Sequence, residues 1–201
     1  MVYDLAVALH RMGHEVTVVG CKGSKLPDGI EVIETVPEKR DPRGDWYEWE
    51  REHYLKYKDR LKGFDVIHDH TWLGFVYLYK RAHPEAVVVH THHGHCTWPS
   101  PPPVRRPCMV GISVYLANEI SARLGVWCRH AYNGVSLEDY PFCGEKLDYL
   151  VYIGRITKYK QPHVAIEVAK RARVPIYIIG GERFVEDWAY VQTFNSSLVA
   201  S

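Results

Sequence analysis

Apolar positions along the chain follow two rhythms in turn. In residues 2–14, VYDLAVALHRMGH, the residues Val2, Leu5, Ala6 and Leu9 recur at helical spacing and Gly13 is a natural stop, so the chain opens in a helix. EVTVVG (15–20) is a nearly continuous apolar run of the kind a parallel sheet buries. KGSKLPDG (22–29) reads as a loop and IEVIETV (30–36) as a second strand. The charged stretch from Pro37 to Lys62 contains DWYEWEREHYLKYKDRL, which predicts a surface helix. FDVIHDH (64–70) and AVVVHTHH (86–93) predict further strands, with a helix at LGFVYLYKRAH (73–83) between them. The prolines of CTWPSPPPVRRP (96–107) exclude regular structure there. CMVGIS (108–113) is then a strand, VYLANEISARLG (114–125) a helix capped by Ser113, and VWCRHAYNGV (126–135) a strand running into an Asn-Gly turn.

Strand and helix alternate throughout, which implies βαβ crossovers and places the chain in the α/β class with a parallel sheet. A second block starts near Leu147. DYLVYIGRI (148–156) and PIYIIGG (175–181) are buried strands ending in glycine, and HVAIEVAKRARV (163–174) is an amphipathic helix between them. Two domains are expected, residues 1–145 and an incomplete 146–201, with TFNSSLVAS (193–201) a frayed tail. A doubly wound domain ordinarily starts with a strand. This one starts with a helix, so a chain cut at both ends is expected.

Composition narrows the partners. With 25 basic and 24 acidic side chains, the net charge of +1 argues against nucleic acid or an anionic membrane as the main partner. No apolar run reaches the ~20 residues of a membrane span, and no signal-peptide pattern opens the chain. A soluble, cytoplasmic protein is therefore expected. Cys21, Cys96, Cys108, Cys128 and Cys143 form no C-x-x-C pair and read as reduced thiols.

The candidate chemistry lies at strand ends. Alternation in a strand pairs His68 with His70 and His90 with His92. If the two strands are neighbours, their imidazoles and Asp69 could hold a metal ion. The competing reading packs His68 and His90 inside and aims the later histidines at the open carboxyl edge of the sheet, where α/β folds bind ligands. The latter reading is preferred, with no metal, because no metalloprotease-type carboxylate spacing accompanies the histidines. His93 then projects into a cleft, and Gly94 lets the backbone turn tightly and approach a ligand. In GRITKYK (154–160), Gly154, Arg155 and Lys160 precede a helix, a combination suited to a diphosphate. Ser113 reads as a helix cap rather than a nucleophile.

Taken in order, LAVALHRMGHEVTVVG, FDVIHDHTW, VVVHTHHG, VGIS, YNGVSLEDYPF and DYLVYIGRITKYKQPHVAIEVAKRARVPIYIIGG resemble successive landmarks of retaining GT-B glycosyltransferases of family 4. The resemblance implies an N-terminal, acceptor-side Rossmann-like domain (1–145) lacking its first strand, and the start of a nucleotide-sugar-binding domain (146–201). It implies transfer of a sugar from a nucleotide-sugar donor to a carbohydrate or lipid-linked acceptor without a metal cofactor. By that resemblance His93 contacts the transferring sugar, while Gly154, Arg155, Lys160 and Gly181 hold the donor. His70, His92, Gly94, Asn133 and Gly134 line the acceptor side of the cleft. Gln161 stands where the family usually has glycine, and the E-x7-E segment of the family is not reached. Two other readings remain open. One is a non-catalytic binding or assembly module, including a homo-oligomer covering an exposed sheet edge. The other is a histidine-based metal-dependent hydrolase.

Overall fold

The computed structural model describes residues 2–36, 45–98 and 107–180. The chain divides into two compact units, Met1–Tyr140 and Pro141–Ser201.

In the first unit, helix α1 (Val2–Arg11) stops as expected before Gly13, which takes φ 92°. Strands β1 (Thr17–Cys21) and β2 (Glu31–Val36) pair in parallel, with a bulge at Gly20/Cys21. Strand β3 (Val66–Asp69) opens a second parallel sheet, which continues through β4 (Val87–His92) and β5 (Cys108–Gly111) to β6 (Cys128–His130) in the order β3-β4-β5-β6. The predicted strands and their parallel pairing are present, but in two sheets. No hydrogen-bonded ladder joins β1 to β3 among the described residues.

The core is built on α3 (Val76–Ala82) and α4 (Val114–Leu124), which cover the four-stranded sheet. Leu116, Ala117, Ile120 and Leu124 form the buried stripe of α4 at i, i+1, i+4, i+8 spacing. They meet Met109 and Cys128 of the sheet and Val76 and Tyr77 of α3 in one apolar cluster. Ser113 caps α4 as expected, its hydroxyl accepting the Leu116 N–H at 3.1 Å.

Helix α2 (Trp46–Tyr57), expected at the surface, is anchored instead. Tyr54 and Tyr57, one turn apart, enter the core, and Leu61 follows from the 3-10 turn Lys58–Gly63. Charge dominates the sequence here and hides an aromatic stripe; Trp46 and Tyr47 stay exposed. Asp45 caps the helix, accepting the Tyr47 N–H at 2.8 Å.

The second unit is a single βαβ turn over its described part. Strand β7 (Leu150–Ile153) pairs in parallel with β8 (Ile176–Ile179), and α5 (Pro162–Ala172) crosses between them after a 3-10 turn at Lys158–Lys160. Ile166 and Ala169 bury the inner face of α5. Gly181, the tail from residue 193, the prolines from 99 to 103 and the start of the charged stretch at 37–44 lie outside the described residues. Among the described residues no helix is long and apolar enough to cross a membrane.

Candidate functional site

Parallel pairing of β3 with β4 sets Asp69 beside His90, so the histidine-rich strand ends do meet. They sort into an inner and an outer layer by alternation.

The inner layer is a buried chain of hydrogen bonds. His90 is fully buried and its Nδ1 lies 2.7 Å from Asp69 Oδ2. His90 Nε2 lies 3.1 Å from His92 Nδ1, and His92 Nε2 lies 3.3 Å from the His95 carbonyl oxygen. A carbonyl only accepts, so His92 donates from Nε2 and, as a neutral ring, accepts at Nδ1. His90 then donates from Nε2 to His92, and its Nδ1 faces the Asp69 carboxyl group. Burial lowers the pKa of His92, in keeping with the neutral ring. Asp69 also accepts the Thr71 N–H at 3.0 Å, which fixes the turn after β3.

The outer layer carries the accessible imidazoles. His68 Nε2 lies 2.8 Å from the Thr91 hydroxyl, and His70 Nδ1 lies 2.9 Å from His93 Nε2. Burial, reinforced by neighbouring His68 and His93, pushes His70 down to about 4. Burial lowers His68 and His93 as well. These rings are neutral at pH 7, each able to donate one hydrogen bond and accept one. Nδ1 of His93 is buried and has no hydrogen-bond partner among the described residues.

His68, His70 and Thr91 open onto a cavity of about 650 Å³ within the first unit. Its opposite wall is the segment after β6, including Tyr132, Asn133, Gly134, Glu138 and Asp139, with Asp4 and Arg11 of α1 at the rim. The cavity lies at the carboxyl ends of β3 and β4, where open parallel sheets place their ligands. The predicted cleft residues therefore separate. His70, Asn133 and Gly134 line this cavity, and His93 touches it through His70. His92 is only 1% exposed and packs between His90 and Trp98, so it belongs to the core beneath the cavity.

Gly94 packs against the loop that follows β3. Its φ is not in the left-handed region, and a Cβ there would stand 2.7 Å from the Trp72 ring. The missing side chain leaves room for that indole. Sequence reasoning also missed the scaffold of this site. Glu50 of α2 accepts the N–H groups of Trp72 and Leu73 at 2.8 and 2.7 Å, fastening the loop that follows His70. Trp98 donates from Nε1 to the Trp72 carbonyl at 2.8 Å. A carboxylate on a helix 22 residues upstream leaves no local signal in the sequence.

In the second unit Gly154 ends β7, and Arg155 and Lys160 flank Tyr159. The Arg155 guanidinium lies 5.3 Å and the Lys160 ammonium 5.7 Å from the Tyr159 ring centroid, so both cations lean on one aromatic face system. The Tyr152 hydroxyl donates to the Arg155 carbonyl at 3.1 Å or the Lys160 carbonyl at 3.3 Å, closing the loop that carries them. Gln161 takes φ 54° ahead of Pro162, the first residue of α5. That left-handed backbone is one glycine adopts freely and a residue with a side chain adopts at a cost.

Among the described residues no group of three or more His, Cys, Asp or Glu is arranged to hold a metal ion. The imidazoles face one another and a carboxylate rather than a common point.

The first unit is thus an α/β unit with a cavity of mixed apolar and polar lining at the carboxyl ends of its parallel strands. The Glycosyltransferase Family 4 model matches residues 1–139, more than half of the chain, and the chain belongs to that family. No curated protein matches it. Membership supports a glycosyltransferase-like function, with a sugar donor and an acceptor as substrates.

Proposed function

We propose that the chain is the acceptor-side domain and the beginning of the donor-side domain of a retaining glycosyltransferase. It would move a sugar from a nucleotide-sugar donor to a carbohydrate or lipid-linked hydroxyl, in the cytoplasm. The observation that carries this reading is the 650 Å³ cavity of the family-matched unit, walled by neutral imidazoles on one side and by Asn133 and Gly134 on the other. Neutral His70 and His93 suit hydroxyl recognition as a pair: with one nitrogen of each ring engaged by the other, one of the two remaining nitrogens donates and the other accepts.

Each residue then has a role. His93, which meets the cavity through His70, is the residue assigned to the transferring sugar. Arg155 and Lys160, with Gly154 and Gly181, take the donor diphosphate. Their two positive charges stabilise the negative charge that builds on the leaving diphosphate, which makes a metal unnecessary. In the retaining reaction the bond from the anomeric carbon to the diphosphate breaks, and the bond to the acceptor oxygen forms on the same face. The acceptor proton passes to the departing phosphate oxygen.

Isothermal titration with UDP-, GDP- and ADP-sugars tests the reading. One of these donors is expected to bind, and Arg155→Ala or Lys160→Ala to weaken it by about tenfold or more. His93→Ala is expected to lower transfer while leaving donor affinity unchanged. Donor binding that ignores both cation variants overturns the assignment. A non-catalytic assembly module, with a second copy covering a sheet edge, is the alternative. It draws on the edges of β1 and β3 that carry no second ladder among the described residues.

A further inference from the structure

The charges around the 650 Å³ cavity are unequal in sign. Asp4 of α1, with Glu138 and Asp139 from the segment after β6, lines it against one guanidinium, Arg11, among the described lining residues. That guanidinium is already engaged, since Arg11 Nη1 lies 3.5 Å from Glu138 Oε2. His68 and His70 add no positive charge at pH 7, because burial holds both rings below the ordinary histidine range. Three carboxylates against one guanidinium give the described lining a formal charge of −2. The N-terminus of α1, the other feature here that draws anions, carries Asp4 in its first turn. The rest of the wall is neutral. Tyr132, Asn133 and Ser136 supply hydroxyl and amide groups, and Val7, Ala8 and Met12 an apolar face.

We propose that the acceptor taken by this cavity is a sugar that carries no phosphate and no carboxylate, a neutral or amine-bearing saccharide rather than a phosphorylated or diphospho-lipid-linked one. The inference deepens the sugar-transfer reading and rests on it. Proteins hold a phosphate with arginine forks, lysines or open helix N-termini. Among the described lining residues the one guanidinium faces a carboxylate, and so does the one helix end. A phosphate would add its charge to three carboxylates of the same sign. Hydrogen-bond character leads to the same answer by a separate route. A phosphate dianion only accepts hydrogen bonds, as the carboxylates do, so neither satisfies the other. A sugar hydroxyl can donate to a carboxylate while it accepts from the Asn133 amide or an imidazole. The apolar face of a sugar ring suits the wall of Val7, Ala8 and Met12.

The probes are the methyl glycosides of glucose, galactose and mannose, each in plain, 2-amino and 6-phosphate form. They are titrated into the full chain and followed by amide NMR. Shifts are expected at 68–70, 91 and 132–139 with plain or amino forms, and each phosphate is expected to bind about fivefold or more weakly than its parent at low salt. Added salt is expected to narrow that gap. Asp139→Lys brings the described lining to neutral, and is expected to narrow the gap by about half or more while leaving the parent sugar's affinity unchanged. Asp59→Lys makes the same change of charge at a side chain 91% exposed and outside the cavity, and is expected to leave the gap as it was. A phosphate that binds as tightly as its parent overturns the proposal. So does a gap that both variants move equally, or the absence of shifts at these amides with every sugar. Nucleotide-sugar titration of the same samples separates the two failures. If a donor binds but the phosphorylated sugar is preferred, this inference falls and the sugar-transfer reading stands; if no donor binds, that reading falls first.

Discussion

His70 Nδ1 and His93 Nε2 lie 2.9 Å apart, joining the ends of β3 and β4 through one shared proton. Such a bond needs one donor and one acceptor, so protonating both rings breaks it. Burial together with His68 and His93 holds His70 down to about 4, against 6.5 for a free histidine. Between those values the unfolded chain binds more protons than the folded one, so acid favours unfolding. The stability contributed by the neutral pair is complete above about pH 6.5 and is lost as pH falls toward 4. His68 and His93 act in the same sense, while Glu50, raised by burial, acts in the opposite one. Proton NMR of the ring hydrogens is expected to show no His70 titration above about pH 5. Thermal unfolding is expected to fall across pH 6.5 to 4, with a shallower slope in His70→Phe.

Asp69→Asn replaces the carboxyl group that faces a fully buried ring at 2.7 Å and also accepts the Thr71 N–H. A loss of about 1–3 kcal/mol is expected by urea unfolding, the range for leaving a buried hydrogen-bonding group poorly satisfied. His95→Ala tests the converse. Its side chain only meets Glu119 at the surface, at 2.9 Å and 81% exposed, so a cost under about 1 kcal/mol is expected.

Two glycines beneath the site are expected to answer differently to the same change. Gly74 has φ 66°, and a Cβ there would fall 2.1 Å from the ring of Trp98, which is 3% exposed. Gly74→Ala therefore combines backbone strain with a clash against a fixed indole, and a loss of about 3 kcal/mol or more is expected in denaturant unfolding. Gly94→Ala meets Trp72, which is 41% exposed and can swing outward. Its cost is expected at about 1 kcal/mol.

Gln161→Gly relieves the φ 54° backbone ahead of α5. Left-handed backbone costs a side-chain-bearing residue about 1–2 kcal/mol, and the added freedom of glycine in the unfolded chain returns about half of that. A net gain of about 0.5–1 kcal/mol is expected, read from the urea midpoint of the second unit.

Alternation of strands and helices was legible throughout the described residues, because apolar periodicity follows from which faces are buried. The N-cap at Ser113 and the stop at Gly13 were legible for the same local reason. The histidines were only half legible. Strand alternation correctly paired His68 with His70 and His90 with His92, but it does not say which face of β4 meets α3 and α4. That is a tertiary fact, and it put His92 in the core. The close approach at Gly94 was legible, but its neighbour, an indole from another loop, was not. The anchoring of α2 was hidden because tyrosines at positions 54 and 57 are scattered among charges, and tyrosine serves interior and surface alike.

Glu50 gives the loop after His70 an unusual dependence. The turn is held by a carboxylate on α2, and α2 is held by Tyr54 and Tyr57 in the core. A rotation of that helix by a few degrees would drag Trp72 and Leu73 along and retune the imidazole spacing at the cavity mouth. Substitutions on the far side of α2 thereby reach the turn after His70 from a distance, without altering any residue that lines the 650 Å³ cavity.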